Sequence, residues 1–290
     1  MGSLAAERVS GWRTALKLGR VSNVPTVWSN VIAGSALAGG APLHLTIAIA
    51  IIISLMYVAG MFLNDAFDRN VDAVERPERP IPAGEITADA VFVVGFSLLI
   101  VAIVALAAIN DGVGLAGLAL AGAILLYNWH HKRNPAAPFV MGLCRALVYV
   151  AAASAAAASL TSAVLIPAAA MLAYVAGLTY TARLEGLDRI GSLWPLFLLA
   201  APVAVALSRT DFPAPFIVAL IALAGCALRV AQLLHRRGPK DVSSAVGMLI
   251  AAIAINDALF ASTTGEAYAA YACIGCFALT LVLQRYVPAS

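Results

Sequence analysis

Asn64, Asp65, Asp68 and Asp72 fall in the stretch NDAFDRNVD, and Glu75 and Glu78 follow at once. On a helix Asn64, Asp68 and Asp72 stack at i, i+4 and i+8, with Asp65 three places before Asp68. An amide and carboxylates offer hard oxygen donors. Mg2+ takes one or two protein carboxylates and keeps its other positions for water and phosphate oxygens. The spacing therefore points to a divalent cation held by Asn64 and Asp68, with Asp65 and Asp72 holding waters or a second ion. A plainer reading is a salt-bridged helix end neutralised by Arg69, Arg76 and Arg79, with Glu75 paired to Arg79 at i, i+4. The cation accounts better for an amide at the apolar boundary. Arg76 and Arg79 are placed to fork onto a diphosphate, and Pro77, Pro80 and Pro82 end the helix and stiffen the loop.

The chain that positions these residues is 62% hydrophobic and 11% charged, with a mean hydropathy of +0.92. Apolar runs of about 17 to 22 residues recur throughout, each long enough for a hydrocarbon core about 30 Å thick. Candidate spans are 24–41, 45–66, 90–109, 113–130, 138–159, 163–182, 191–207, 212–234, 242–261 and 267–284. Lipid offers the backbone no partners, so such runs must be helices. The expected fold class is all-α, a polytopic transmembrane bundle of nine or ten spans in one integral membrane domain (1–290). Residues 1–23 form an inner amphipathic end and 24–284 the bundle. The amino end has no apolar core followed by a small-residue cleavage site, so no signal peptide is read there. Cys144, Cys226, Cys273 and Cys276 lie in apolar runs, where cysteines mostly pack. Cys273 and Cys276 have no second pair to complete a zinc site.

With the amino terminus inside and the spans alternating, every one of the 18 lysines and arginines except Arg145 and Arg209 lies on the inner side. That bias fixes the orientation and makes the net charge of +3 a matter of topology, not of nucleic acid. The expected location is a bacterial inner membrane, with a cytoplasmic amino terminus and the lipid bilayer as surroundings. The acidic run then sits at the carboxyl end of an outside-to-inside helix. Backbone carbonyls make that end partly negative, so a positive partner is required.

The motif resembles the first signature, NDxxDxxxD, of the UbiA superfamily of intramembrane prenyltransferases, matched at Asn64, Asp65, Asp68 and Asp72. The following RPERPIPAG is similar to the loop of that family's chlorophyll synthases and archaeal lipid-ether synthases. The resemblance covers roughly residues 12 to 261. MGLCRALVYV and the sixth-span stretch resemble the EboC-like bacterial branch. The resemblance implies Mg2+-dependent transfer of an isoprenoid from a polyprenyl diphosphate to an unidentified acceptor. Asp65, Asp68 and Asp72 would be catalytic. Asn64, Asp68, Asp72, Glu185 and Asp188 would be metal ligands, and Arg69, Arg76, Arg79, Lys132 and Arg145 would contact diphosphate. The family's second signature, DxxxD, is degenerate here: TYTARLEGLD retains only Glu185 and Asp188. A carrier or export component that binds a lipid without turnover is the alternative.

Other polar residues lie within spans. Arg145, in the fifth, carries an insertion cost of about 2.5–3.5 kcal/mol; its partner is a diphosphate, or Glu185 or Asp188. Arg20 and Asn23 open the first span, and Lys132 and Arg133 close the fourth. Tyr127, Tyr149, Tyr174 and Tyr180 face a cation or simply pack. AINDALF, with Asn256 and Asp257, echoes the acidic motif but falls toward the outer half, where helix–helix hydrogen bonding is expected.

Overall fold

The computed structural model describes residues 11–132, 134–157, 159–183, 197–208, 211–236, 238 and 240–287. Among the described residues from 25 on, ten α-helices fall in the ten apolar runs: α1 (Pro25–Leu37), α2 (Leu43–Glu75), α3 (Ala88–Ala107), α4 (Asp111–His130), α5 (Ala137–Ala156), α6 (Ser162–Arg183), α7 (Ala201–Leu207), α8 (Ala214–Arg236), α9 (Asp241–Ser262) and α10 (Ala267–Leu283). Seven of them, α2 to α6 with α8 and α9, are long and apolar enough to cross a membrane. Residues 11–18 are also helical, and Thr14 Oγ1 donates to Glu85 Oε2 at 2.5 Å, tying that segment to the loop after α2.

Two elements depart from the expected lengths. The first span is a 13-residue helix, about 20 Å long, because Gly39 and Gly40 turn the chain at φ 94° and 87°, a backbone region open to glycine. The second does not stop at 66. It runs unbroken for 33 residues, about 50 Å, so it carries the acidic run well past a hydrocarbon core of about 30 Å. It ends at Glu75 and is capped by Arg76, just before Pro77. Elsewhere local chemistry starts the helices: Thr87 and Asn110 cap α3 and α4 through their side chains, and proline opens α1 and α5.

Packing divides into two apolar layers that share α1 and α5. Val27, Ile53, Leu63, Leu99, Leu120 and Val148 join α1 to α5. Tyr149, Met171, Tyr174, Phe216, Ile253 and Phe260 join α5 and α6 to α8 and α9. In α9, 83% of the apolar window is buried, against 22% in α8, so α9 is the central helix and α8 a peripheral one. Outward leucines, isoleucines and valines such as Ile51, Ile100, Val104, Leu118 and Ile221 are exposed, the face an apolar solvent requires.

Gly142 sets the approach of α5 to α6: a Cβ there would lie 2.3 Å from the carbonyl oxygen of Leu172. At Gly122 an added Cβ meets nothing within 4 Å. Gly142→Ala is therefore expected to destabilise by about 1–3 kcal/mol, while Gly122→Ala, in a helix interior, is neutral or stabilising by up to about 1 kcal/mol. Thermal unfolding in detergent separates them; equal melting temperatures would refute the close contact.

Candidate functional site

Asn64, Asp65, Asp68 and Asp72 line one face of the inner part of α2 and are only 3–8% exposed. They are shielded, not splayed into water, and each carboxylate has cationic company. Asp65 Oδ1 receives Arg20 Nη2 and Arg79 Nη1, both at 3.2 Å. Asp72 Oδ2 receives Arg79 Nη1 at 2.7 Å. Asp68 Oδ2 lies 3.2 Å from His131 Nε2 and 3.4 Å from Lys132 Nζ. Asn64 Nδ2 donates to Asn128 Oδ1 at 3.2 Å, and Asn128 Nδ2 donates to the Gly60 carbonyl at 3.0 Å.

Three segments converge to build this cluster. Arg20 arrives from the amino end in a left-handed conformation, φ 41° and ψ 48°, which costs a non-glycine residue about 1–2 kcal/mol. Arg79 returns from the loop after α2, where Arg79 N donates to Arg76 O at 3.0 Å. It pairs with Asp65 and Asp72, not with Glu75 as the i, i+4 spacing suggested, because it lies beyond the helix end and folds back. Asn128 comes from the inner end of α4, and His131 and Lys132, at i+3 and i+4, from the residues just after it. His131 stacks on Tyr127, ring centroids 4.8 Å apart.

Of the expected cations, Arg79 and Lys132 join the acids. Arg69 does not: it lies about 100° round the helix from Asp68, donates to the Ala66 carbonyl at 3.0 Å and covers the Phe92 ring at 5.7 Å. Arg76 caps α2, its backbone N–H donating to Asp72 O at 2.9 Å. Arg133, Glu185 and Asp188 lie outside the described residues. His131 and Asn128 were missed in the sequence, although Asn128, His131 and Lys132 share a helical face, which was the available signal.

Above the cluster an apolar cavity opens between α1, α2, α4 and α5. It encloses about 580 Å³, its open mouth included. Ile53, Met56, Leu120, Ile124 and Val148 are among its walls, and so are Asn128 and Arg145. Asn128 thus touches both the acidic run and the cavity. Arg145 pairs with no described carboxylate directly. Its Nη1 donates to the Thr26 carbonyl at 3.1 Å and to Asn30 Oδ1 at 2.8 Å, and its Nη2 to Thr26 Oγ1 at 3.0 Å. Asn30 Nδ2 in turn donates to Asp257 at 2.7 Å, which also accepts from Ser29 Oγ at 2.5 Å and from Tyr149. Helix–helix hydrogen bonding, expected for AINDALF, holds for Asp257. The Asn256 amide has no partner among the described residues. Tyr174 and Tyr180 bind the carbonyls of Leu249 and Pro135. Among the described tyrosines the ring under a cation is Tyr57, 5.9 Å from the Arg145 guanidinium.

The donor set suits Mg2+ in one specific sense. It is all oxygen, buried and on one helix face. Among the described residues no three His, Cys, Asp or Glu side chains converge into a metal cage. Mg2+ seldom needs one, since phosphate oxygens and waters complete its shell.

The fold has known counterparts. A structure of digeranylgeranylglyceryl phosphate synthase superposes with a TM-score of 0.57 over 87% of this chain and 98% of that one, at 21% identity. A UbiA homologue from Archaeoglobus fulgidus bound to GPP and Mg2+ gives 0.53 over 93% and 99%, at 14% identity. In sequence, a digeranylgeranylglyceryl phosphate synthase from Methanopyrus kandleri is 34% identical over 125 residues, 42% of this chain and 45% of that protein. A 4-hydroxybenzoate octaprenyltransferase from Idiomarina loihiensis is 31% identical over 121 residues, 41% and 42%. The chain thus spans under half the length of these curated relatives. The model of the UbiA prenyltransferase family matches residues 23–253, most of the chain, and the protein is an integral membrane member of that family.

Proposed function

We infer that this protein transfers an isoprenoid group from a polyprenyl diphosphate to an acceptor within the membrane, and does so with Mg2+. One observation carries the reading: a cluster of matched carboxylates and cations adjoins an apolar cavity, and Asn128 belongs to both. A prenyl diphosphate has the same two halves. The names of the relatives and of the homologue bound to GPP and Mg2+ support it.

In this reading Asn64, Asp65, Asp68 and Asp72 hold Mg2+, with Glu185 and Asp188 as a second, weakened set. When bound, Mg2+ supplies Lewis-acid stabilisation of the departing diphosphate. Arg20, Arg79 and Lys132, parked on the carboxylates, are the cations that turn to the diphosphate, with Arg76 beside them. The C1–oxygen bond to diphosphate breaks, C1 bonds to the acceptor, and the acceptor gives up a proton. The apolar walls keep water from C1. The basic inner ends support an amino terminus in the cytoplasm of a bacterial inner membrane.

Asp68→Asn is expected to cut Mg2+-dependent release of diphosphate from farnesyl or geranylgeranyl diphosphate at least about 100-fold, or about 2.7 kcal/mol. Purified protein with labelled substrate measures this. Unchanged release refutes the assignment, and tight binding without turnover in the parent protein favours a carrier.

The cavity reaches Ile53, eleven residues up α2 from Asn64, or about 16 Å. Ile53→Phe should lower turnover of geranylgeranyl relative to geranyl diphosphate about tenfold. A parallel loss on both substrates would place the tail elsewhere.

A further inference from the structure

Arg145 is a cation inside a transmembrane bundle, and the acidic cluster does not use it. It is part of the wall of the apolar cavity and is only partly buried, although it sits mid-helix in α5. Its bonds follow a pattern. Thr26 takes one hydrogen from each Nη through its carbonyl and Oγ1, and Asn30 takes the second hydrogen of Nη1. A guanidinium carries five N–H donors in a planar fork. The two left over are Nε–H and the second Nη2–H, which are parallel on one edge. Neither has a partner among the described residues. A parallel pair on one edge is the arrangement that takes a carboxylate or phosphate in two hydrogen bonds at once.

The surroundings fix the guanidinium. Thr26 and Asn30 are fully buried, the Tyr57 ring lies under its face, and Asn30 relays its charge to Asp257. Asp257 is held by α1 and α5 together. An arginine so anchored is oriented before any ligand arrives, and its charge is partly balanced. It therefore suits a monoanion better than a diphosphate, for which Arg20, Arg79 and Lys132 are already gathered. The rest of the cavity wall is mostly apolar, so the ligand is an amphiphile.

We propose that Arg145 is the receptor for a single carboxylate or phosphate group on a membrane-dissolved amphiphile in this cavity. The inference rests on the prenyl-transfer reading for one point only: there, the amphiphile is the acceptor. Asp257 is a positioning residue, acting through Asn30.

The test is binding by purified protein in nanodiscs, in EDTA and without prenyl diphosphate, so its outcome is independent of Mg2+-dependent diphosphate release. Decanoate and decyl phosphate are compared with decanol by calorimetry. At least one of the anions is expected to bind at least tenfold more tightly than the alcohol, and which one does so assigns the headgroup. The double variant Arg145→Gln/Asp257→Asn removes both charges together and is expected to bind the anions and the alcohol alike. No preference in the parent protein overturns the proposal, whether or not the variant folds. A preference that survives in the folded double variant overturns it too.

Discussion

Carboxylates buried on a helix face are desolvated, and the one in the last turn of α2, Asp72, also faces backbone carbonyls that carry partial negative charge. Three of them on one face add mutual repulsion. The inner end of α2 survives this because Arg20, Arg79 and Lys132, with His131, close on Asp65, Asp68 and Asp72. Much of the inner architecture follows from that need. The amino end must fold under the bundle to deliver Arg20. The loop after α2 must turn back to deliver Arg79. α4 must end level with Asp68 to deliver His131 and Lys132. A buried pair that loses one partner costs about 3–5 kcal/mol, so these contacts also pin the segments that make them.

The same constraint recurs deeper in the bundle in a different form. Asp257 and Arg145 are both intramembrane charges, and they are compensated at one remove through Asn30. The link passes through α1, the short helix shared by both apolar layers. α1 therefore lies between the two charge systems: Arg20 just before it serves the inner one, Asn30 within it serves the deeper one. The apolar cavity runs between them, with carboxylates and cations below and a single cation on its wall. That polarity is written into the positions of a few side chains, and the surrounding leucines and isoleucines keep water from erasing it.

Much of this was legible in the sequence because membrane physics leaves few choices. Long apolar runs have to be helices, and the alternation of basic ends orders them. The acidic face of α2 could be read from i, i+4, i+8 spacing alone. What could not be read was the partner of each charge. Glu75 and Arg79 look like a pair until the backbone turns after Pro77. Arg69 belongs to the motif by position, yet points to Phe92 because one residue is a rotation of about 100°. Arg145 meets Thr26 and Asn30 across more than a hundred residues of chain, and nothing local announces it. Spacing along one helix is a local property, whereas pairing between helices depends on rotation and depth, which apolar patterning barely specifies when a helix is hydrophobic nearly all round.

His131 shows what such pairing adds. A lysine at its place would reach Asp68 on a flexible four-carbon stem. A histidine with Nδ1 at 3.1 Å from the Tyr127 carbonyl and Nε2 near Asp68 is instead oriented at both nitrogens, and its ring lies flat on Tyr127. The ring therefore acts as a wedge that sets where Asp68 sits, at lower cost in side-chain freedom than a lysine would carry. Asn128, one turn earlier, fixes Asn64 in the same way by bonding on to Gly60. Two successive side chains of the acidic face are thus aimed by α4, and the geometry of the site is a property of the α2–α4 contact as much as of the motif itself.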